Sequence, residues 1–470
     1  MNLELNGTNI IDESQRGGKA SSLFWPWCGA NVSLLALSYG AFFLGFGISF
    51  WQATIAAFLG TVLSFLLVGF SSLAGKKSNA PTMVLSRASF GVRGSVIPGL
   101  LSYLIFVGWE IVLMSLATLA TGTVFMRLQN VDQDTAMAIG FAFAVALTVS
   151  SGVLGFSVIM RIQRVLTIVT IVMTCFYIFL TIDEVDWSVV TSLPSGSAQG
   201  FIGAVIFGVT AIGLGWVNAA ADYSRYLPRD TSSKAVVGWT VFGASIVPII
   251  LVTYGAALSA GSAKLSEAIA KDPIGALTTI LPSWYLVIFA LVAILGLVGG
   301  AILNLYSSGL ALISIGLPVK RHVAASIDAV LMFLGVIYFV WIADDFFYPF
   351  QGFLTTLGVP IAVWSAIFVT DVLLRKSYNE ADLYLEQGSY GRWNARSISI
   401  MAIGTFVGWG FVTNSFASWL SWQGYFLFLI GGKEGAWAYA NLGVLFALLI
   451  GFAGHFLLAR KKLTLHQLTH

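Results

Sequence analysis

Apolar stretches close to a bilayer's thickness recur twelve times along this 470-residue chain. They lie at about 29–49, 52–74, 96–125, 135–154, 163–182, 199–221, 235–260, 283–317, 324–343, 346–373, 398–416 and 437–459. Roughly 20 apolar residues cross the hydrocarbon core as a helix, and a backbone there must satisfy its own polar groups. The expected fold class is therefore an all-α membrane protein of twelve transmembrane helices. Charged residues make up 10% of the chain, against about 25% in average soluble proteins, which excludes a water-soluble domain.

Lysine and arginine orient the spans. Only Arg127, Lys264, Lys271 and Lys433 fall in the segments on one side; the remaining twenty of 24 fall on the other. Positive residues mark the cytoplasmic side. Both termini are thus expected inside, in a cell membrane (plasma or bacterial inner). Residues 1–28 read as a cytoplasmic tail and 460–470 as another. The loops are too short for a catalytic domain. No phosphate-binding glycine loop, His-Glu-x-x-His run or Gly-x-Ser-x-Gly elbow occurs, so no enzyme is expected. Cys28 and Cys175 lie in or beside apolar spans and His455 sits alone in the last one; neither a disulfide framework nor a metal site follows.

The third span carries Glu110 at its centre, within Val107-Gly108-Trp109-Glu110-Ile111-Val112. An ionisable group at that depth costs roughly 2.5–3.5 kcal/mol on insertion scales, faces a bundle interior or watery cavity, and marks function by default. A protonated glutamate tying two helices together is the structural alternative. Trp109 precedes it, turned by about 100° around the helix, so the two side chains line different walls.

Spans one and six look broken. One reads Ser38-Tyr39-Gly40-Ala41-Phe42-Phe43-Leu44-Gly45-Phe46-Gly47; the other reads Gly208-Val209-Thr210-Ala211-Ile212-Gly213-Leu214-Gly215-Trp216. They are five spans apart and run oppositely. That is the mark of an inverted repeat with unwound helices at a central site, although glycine also packs membrane helices closely. Residues 29–182 then form repeat one, 199–373 the inverted repeat two, and 398–459 two appended helices. In span eight, Asn304 offers a donor and an acceptor, suited to the edge of a planar heterocycle or to an interhelical bond.

Four motifs, in order, resemble the nucleobase–cation symporter-1 family. They are Asn79-Ala80-Pro81-Thr82-Met83-Val84-Leu85-Ser86-Arg87-Ala88-Ser89-Phe90-Gly91; Ala221-Asp222-Tyr223-Ser224-Arg225-Tyr226; Asn304-Leu305-Tyr306-Ser307-Ser308-Gly309-Leu310; and Asp382-Leu383-Tyr384 with Tyr390-Gly391-Arg392-Trp393-Asn394. The resemblance runs from about Phe24 to the end of span twelve and is strongest to the purine–cytosine permease branch. It implies the five-plus-five inverted-repeat fold of leucine-transporter type, with two C-terminal helices added. It also implies alternating access and secondary-active import of a nucleobase, cytosine or a purine, by cation symport. The same fold carrying hydantoin, allantoin, uracil or thiamine is the alternative.

The resemblance assigns ring stacking to Trp109 and edge recognition to Asn304, and matches Gly215 and Trp216 to a helix-six pair. Ser38, Gly40 and Gly213 are expected to offer backbone or small-residue contacts. Two departures bear on the coupled ion. Several members carry a small or neutral residue where this chain has Glu110. Gly299 and Gly300 stand near where sodium-coupled members place hydroxyls. A proton, carried by Glu110, is thus the expected co-transported ion, with sodium the alternative. No other cofactor or metal is expected. The partners are a small ring substrate and the lipid bilayer, with no nucleic acid; the oligomeric state is open, a monomer being compatible.

Overall fold

The computed structural model describes residues 7–129, 131–152, 156–317, 321–343, 345–415 and 418–468. Among these residues every regular element is helical. The long helices are α1 Phe24–Asn31, α2 Leu35–Leu44, α3 Phe50–Lys77, α4 Val96–Gln129, α5 Gln133–Gly152, α6 Phe156–Thr181, α7 Ala198–Gly208, the short α8 Ala220–Ser224, α9 Ser233–Ala260, α10 Leu286–Ser314, α11 Arg321–Ile337, α12 Phe347–Leu374, α13 Ala395–Gly410 and α14 Leu442–Leu468. Each of the twelve expected stretches overlaps one or more of these helices. Seven helices are long and apolar enough to cross a membrane unaided. The bent pair α1–α2 makes an eighth such span, and shorter apolar helices cover Gln133–Thr148, Ser326–Ile342 and Leu442–Leu458.

Local chemistry sets the helix ends. A capping box opens α3: Gln52 N–H donates to the Ser49 hydroxyl, and Ser49 N–H donates to the Gln52 side chain. Ser197 and Ser232 cap α7 and α9 by accepting from Gly200 and Ala235. Trp51, Ile55, Phe58 and Phe179 point outward, as a lipid-facing surface requires, while the inward faces form one continuous apolar core.

Both expected breaks exist, but the first lies upstream of its glycines. The α1–α2 pair bends by 66° at residues 32–34. No glycine or proline makes that break. Asn31 Nδ2 donates to the Trp27 carbonyl one turn back at 2.8 Å, and Leu35 N–H donates to the Ser33 hydroxyl at 3.3 Å where the helix restarts. The second break falls on its glycines: a π turn at Val209–Gly213 passes into 3-10 helix at Leu214–Ala219.

Gly40 has a different task from unwinding. A methyl group there would lie 2.0 Å from the Ala256 amide nitrogen, and one on Gly255 would lie 1.9 Å from the Leu37 carbonyl oxygen. Helices α2 and α9 therefore touch backbone to backbone. Gly40→Val is expected to cost at least ~1–3 kcal/mol by overpacking, read as a lowered melting temperature of the detergent-purified protein.

Residues 7–28 do not form a free tail. Helix α1 starts at Phe24, and Arg16 is buried, donating through Nε to the Leu227 carbonyl at 2.7 Å and through its other nitrogens to the Lys76 carbonyl and the Asn79 side chain. The segment clamps the α3 end to the loop after α8. At the other end α14 continues through residue 468, so the stretch expected as a C-terminal tail begins as helix. Cys28 is buried and Cys175 exposed, and both are free thiols.

Candidate functional site

A cavity of about 60 Å³ lies between the two broken helices. Asn31, Ser33 and Tyr39 line it from the α1–α2 break, Ala211, Ile212 and Trp216 from the second break, Trp109 from α4, Pro248 from α9 and Asn304 from α10. The breaks face each other directly, since Tyr39 hydroxyl reaches the Ala211 carbonyl at 3.4 Å and Trp27 meets Trp216 edge to face at 6.0 Å.

The aromatic walls are held at fixed angles. Trp109 meets Phe350 at 5.6 Å and Phe353 at 6.0 Å, both edge to face. Tyr39 stacks on Phe350 at 6.3 Å with planes 13° apart. Three rings around one small space form a slot suited to a flat ligand. Two amides supply its polar edge. Asn304 Nδ2 donates to the Gly300 carbonyl at 3.0 Å, one turn back on its own helix. Its carbonyl oxygen takes no hydrogen bond from any described residue, which leaves an acceptor toward the cavity.

Of the expected site residues, Trp109, Trp216 and Asn304 line this cavity. Gly215 stands directly behind: a methyl there would lie 3.0 Å from Trp109 Nε1, so glycine admits the indole edge. Ser38, Gly40 and Gly213 lie elsewhere. Ser38 donates its hydroxyl to the Pro273 carbonyl, Gly40 packs on α9, and a methyl on Gly213 would meet the Ser64 hydroxyl of α3 at 2.2 Å. Asn31, Tyr39 and Pro248 were not singled out in the sequence; an amide or aromatic beside a break was the available signal.

Glu110 is also outside the cavity wall. It is fully buried, neither carboxyl oxygen meets full hydrogen-bond geometry with a described residue, and the Ser308 hydroxyl of α10 and the Asp328 carboxyl of α11 both act on it. Asp328 lies near the start of the expected span 324–343. The criterion that selected Glu110, an acid inside an apolar span, applies to it equally.

A larger cavity of about 330 Å³ lies near α12, α13 and α14, around Asp371, Arg375 and His455. Asp371 is already bonded to both Arg375 donors at 2.8 and 2.9 Å, and this cavity is remote from the broken helices.

Two unwound helices facing one central slot define a membrane transporter rather than a channel or an enzyme. Residues 10–431 match the family described as permease for cytosine/purines, uracil, thiamine, allantoin, and the chain belongs to that family. It is 24% identical over 450 residues to a putative purine-cytosine permease of Bacillus subtilis, covering 93% of each chain. Over 279 residues it is 25% identical to a purine-cytosine permease of Saccharomyces cerevisiae, covering 55% of this chain and 48% of that one. The structure superposes on Mhp1, a nucleobase-cation-symport-1 family transporter solved closed with bromovinylhydantoin bound, with TM-score 0.73, 19% identity and coverage of 98% and 96%. The fold is therefore the inverted-repeat architecture of leucine-transporter type.

The motifs that carried the resemblance meet in space. Asp222 accepts from the Thr82 amide at 2.8 Å and its hydroxyl at 2.9 Å. Val92 and Arg93 N–H groups donate to the Gly391 and Arg392 carbonyls at 2.9 Å each. These contacts brace the end of α3, the helix α8 and the approach to α13, while Asn304 of the third motif lines the slot.

Proposed function

We propose that this permease imports a neutral nucleobase, cytosine or a purine, by proton symport with alternating access. The observation that carries the reading is the slot itself. Trp109, Trp216 and Tyr39 offer π faces to a flat ring, where stacking contributes roughly 1–3 kcal/mol per base. Asn304 and Asn31 offer amides to its edge. No acidic side chain lines the slot. A cationic ring such as that of thiamine would find no counter-ion there, which favours a neutral base over that alternative.

The choice of ion rests on Gln163 of α6. Its Nε2 donates to the Gly299 carbonyl at 2.6 Å, and a methyl on Gly29 would lie 2.5 Å from its Oε1. An amide donor thus already bonds the backbone oxygen of Gly299, and Gly299 and Gly300 supply no hydroxyl ligand. Glu110 is the carrier this leaves. The lysine and arginine asymmetry supports cytoplasmic termini in a cell membrane. The two facing breaks support repeats at 29–182 and 199–373, with 398–459 appended and a monomer as the working unit.

Proteoliposomes given radiolabelled cytosine from the outside test the reading. Accumulation should follow an inward proton gradient, collapse with a protonophore and persist when potassium replaces sodium. Adenine should compete, thiamine should not. A requirement for sodium at fixed pH, or thiamine competing better than any base, would overturn it. Asn304→Ala is expected to weaken cytosine binding several-fold, since a neutral hydrogen bond contributes about 0.5–1.5 kcal/mol; equilibrium binding across a titration checks this.

A further inference from the structure

We infer that Glu110 and Asp328 together form one proton-binding site at the junction of α4, α10 and α11, with Tyr103 and Ser308 as its positioning residues. The inference rests on the proton-symport reading above and supplies the second group that reading lacks.

Both acids are fully buried. Asp328 Oδ1 accepts from the Tyr103 hydroxyl at 2.5 Å, and its Oδ2 accepts from the Ser308 hydroxyl at 2.7 Å. Two donors on two oxygens suit a carboxylate, so Asp328 is the anionic member. Glu110, whose oxygens meet full hydrogen-bond geometry with no described residue, is the member that carries the proton. Two ionised carboxylates in range of each other in a low dielectric repel strongly, so such a pair holds one proton between them. The titratable groups facing the site are Tyr103 from α4 and Asp328 from α11; α10 contributes only the Ser308 hydroxyl, and no lysine, arginine or histidine among the described residues acts on either carboxyl. In each cycle an O–H bond forms on a Glu110 carboxylate oxygen with a proton from water on the outer side. The same bond breaks to release that proton to water on the inner side, and no other bond changes.

The site shares two helices with the slot. On α4, Trp109 faces the slot and Glu110, its neighbour in sequence, faces the acid. On α10, Asn304 faces the slot and Ser308, one turn on, holds Asp328. A base that shifts α4 against α10 alters the distance from Glu110 to Asp328, which gives substrate and proton a common mechanical element.

The test uses the full-length protein in proteoliposomes, with radiolabelled cytosine as substrate and an internal pH dye. Asp328→Asn should keep cytosine counterflow near the wild-type rate, yet lose cytosine-driven proton inflow and accumulation. Tyr103→Phe removes a donor to the anion and should move the pH midpoint of uptake upward by about one unit. Unchanged proton inflow in Asp328→Asn, or an unmoved profile in Tyr103→Phe, would overturn the site; the second variant decides if the first does not fold. Infrared titration needs no substrate: the protonated-carboxyl stretching band should vanish in Glu110→Gln and shift in Asp328→Asn, and a band indifferent to both would sink the inference. Absence of cytosine counterflow in the wild type would remove the nucleobase reading, while the infrared arm still decides the proton site.

Discussion

Glu110→Gln vesicles will exchange labelled cytosine and accumulate none. Glutamine matches glutamate in shape and adds its own donor, so a residue whose oxygens meet full hydrogen-bond geometry with no described residue is replaced without a new packing defect. What is lost is the ability to take and release a proton. One charge moving through a membrane potential is worth about 2.3 kcal/mol per 100 mV, equivalent to roughly 50-fold accumulation, and the variant should fall to an inside-to-outside ratio near one. Accumulation that survives in Glu110→Gln with its pH dependence intact would exclude this residue as the carrier. Because Glu110 does not line the slot and glutamine stands in for its protonated form, equilibrium affinity for cytosine at low pH should stay close to that of the wild type. A large affinity loss would instead place the carboxyl on the substrate.

Trp109→Ala should act in the opposite sense, on binding rather than coupling. Loss of a stacking face costs roughly 1–3 kcal/mol, or about 5- to 150-fold in affinity. Trp109→Phe should recover most of it, because Phe350 and Phe353 would still hold a ring edge to face. Radioligand binding to purified protein measures both. Equal affinities for the wild type and Trp109→Ala would mean that the base sits against another wall of the slot, with Tyr39 or Trp216 as its platform.

The fold was legible because apolar length and charge asymmetry are crude, strong signals in a membrane chain. The second break was legible for a local reason, since Gly213 and Gly215 sit within it. The first lies upstream of its glycines: Asn31 and Ser33 make side-chain hydrogen bonds at that break, while Gly40 downstream serves contact with α9. Gly40 shows the limit of reading glycine as flexibility, because a helix crossing demands the same residue. Ser38 and Gly213 fell outside the slot for a related reason: helix rotation decides which residue of a turn faces inward, and a broken helix has no single period from which to read it. Asp328 was missed although its own stretch carried the signal. Its meaning depends on Tyr103 and Ser308, which are 225 and 20 residues away in sequence.

The contact between Gly40 and Gly255 has a consequence for motion. Helix α2 belongs to the first proposed repeat and α9 to the second, so this crossing pins the two halves together where their backbones meet. A rearrangement that slid one half past the other as a solid block would drive carbonyl groups into peptide nitrogens. Spectroscopic labels placed on outward-facing positions of α2 and α9 should therefore report an invariant separation throughout the cycle, and serve as the internal ruler against which every other helix is measured.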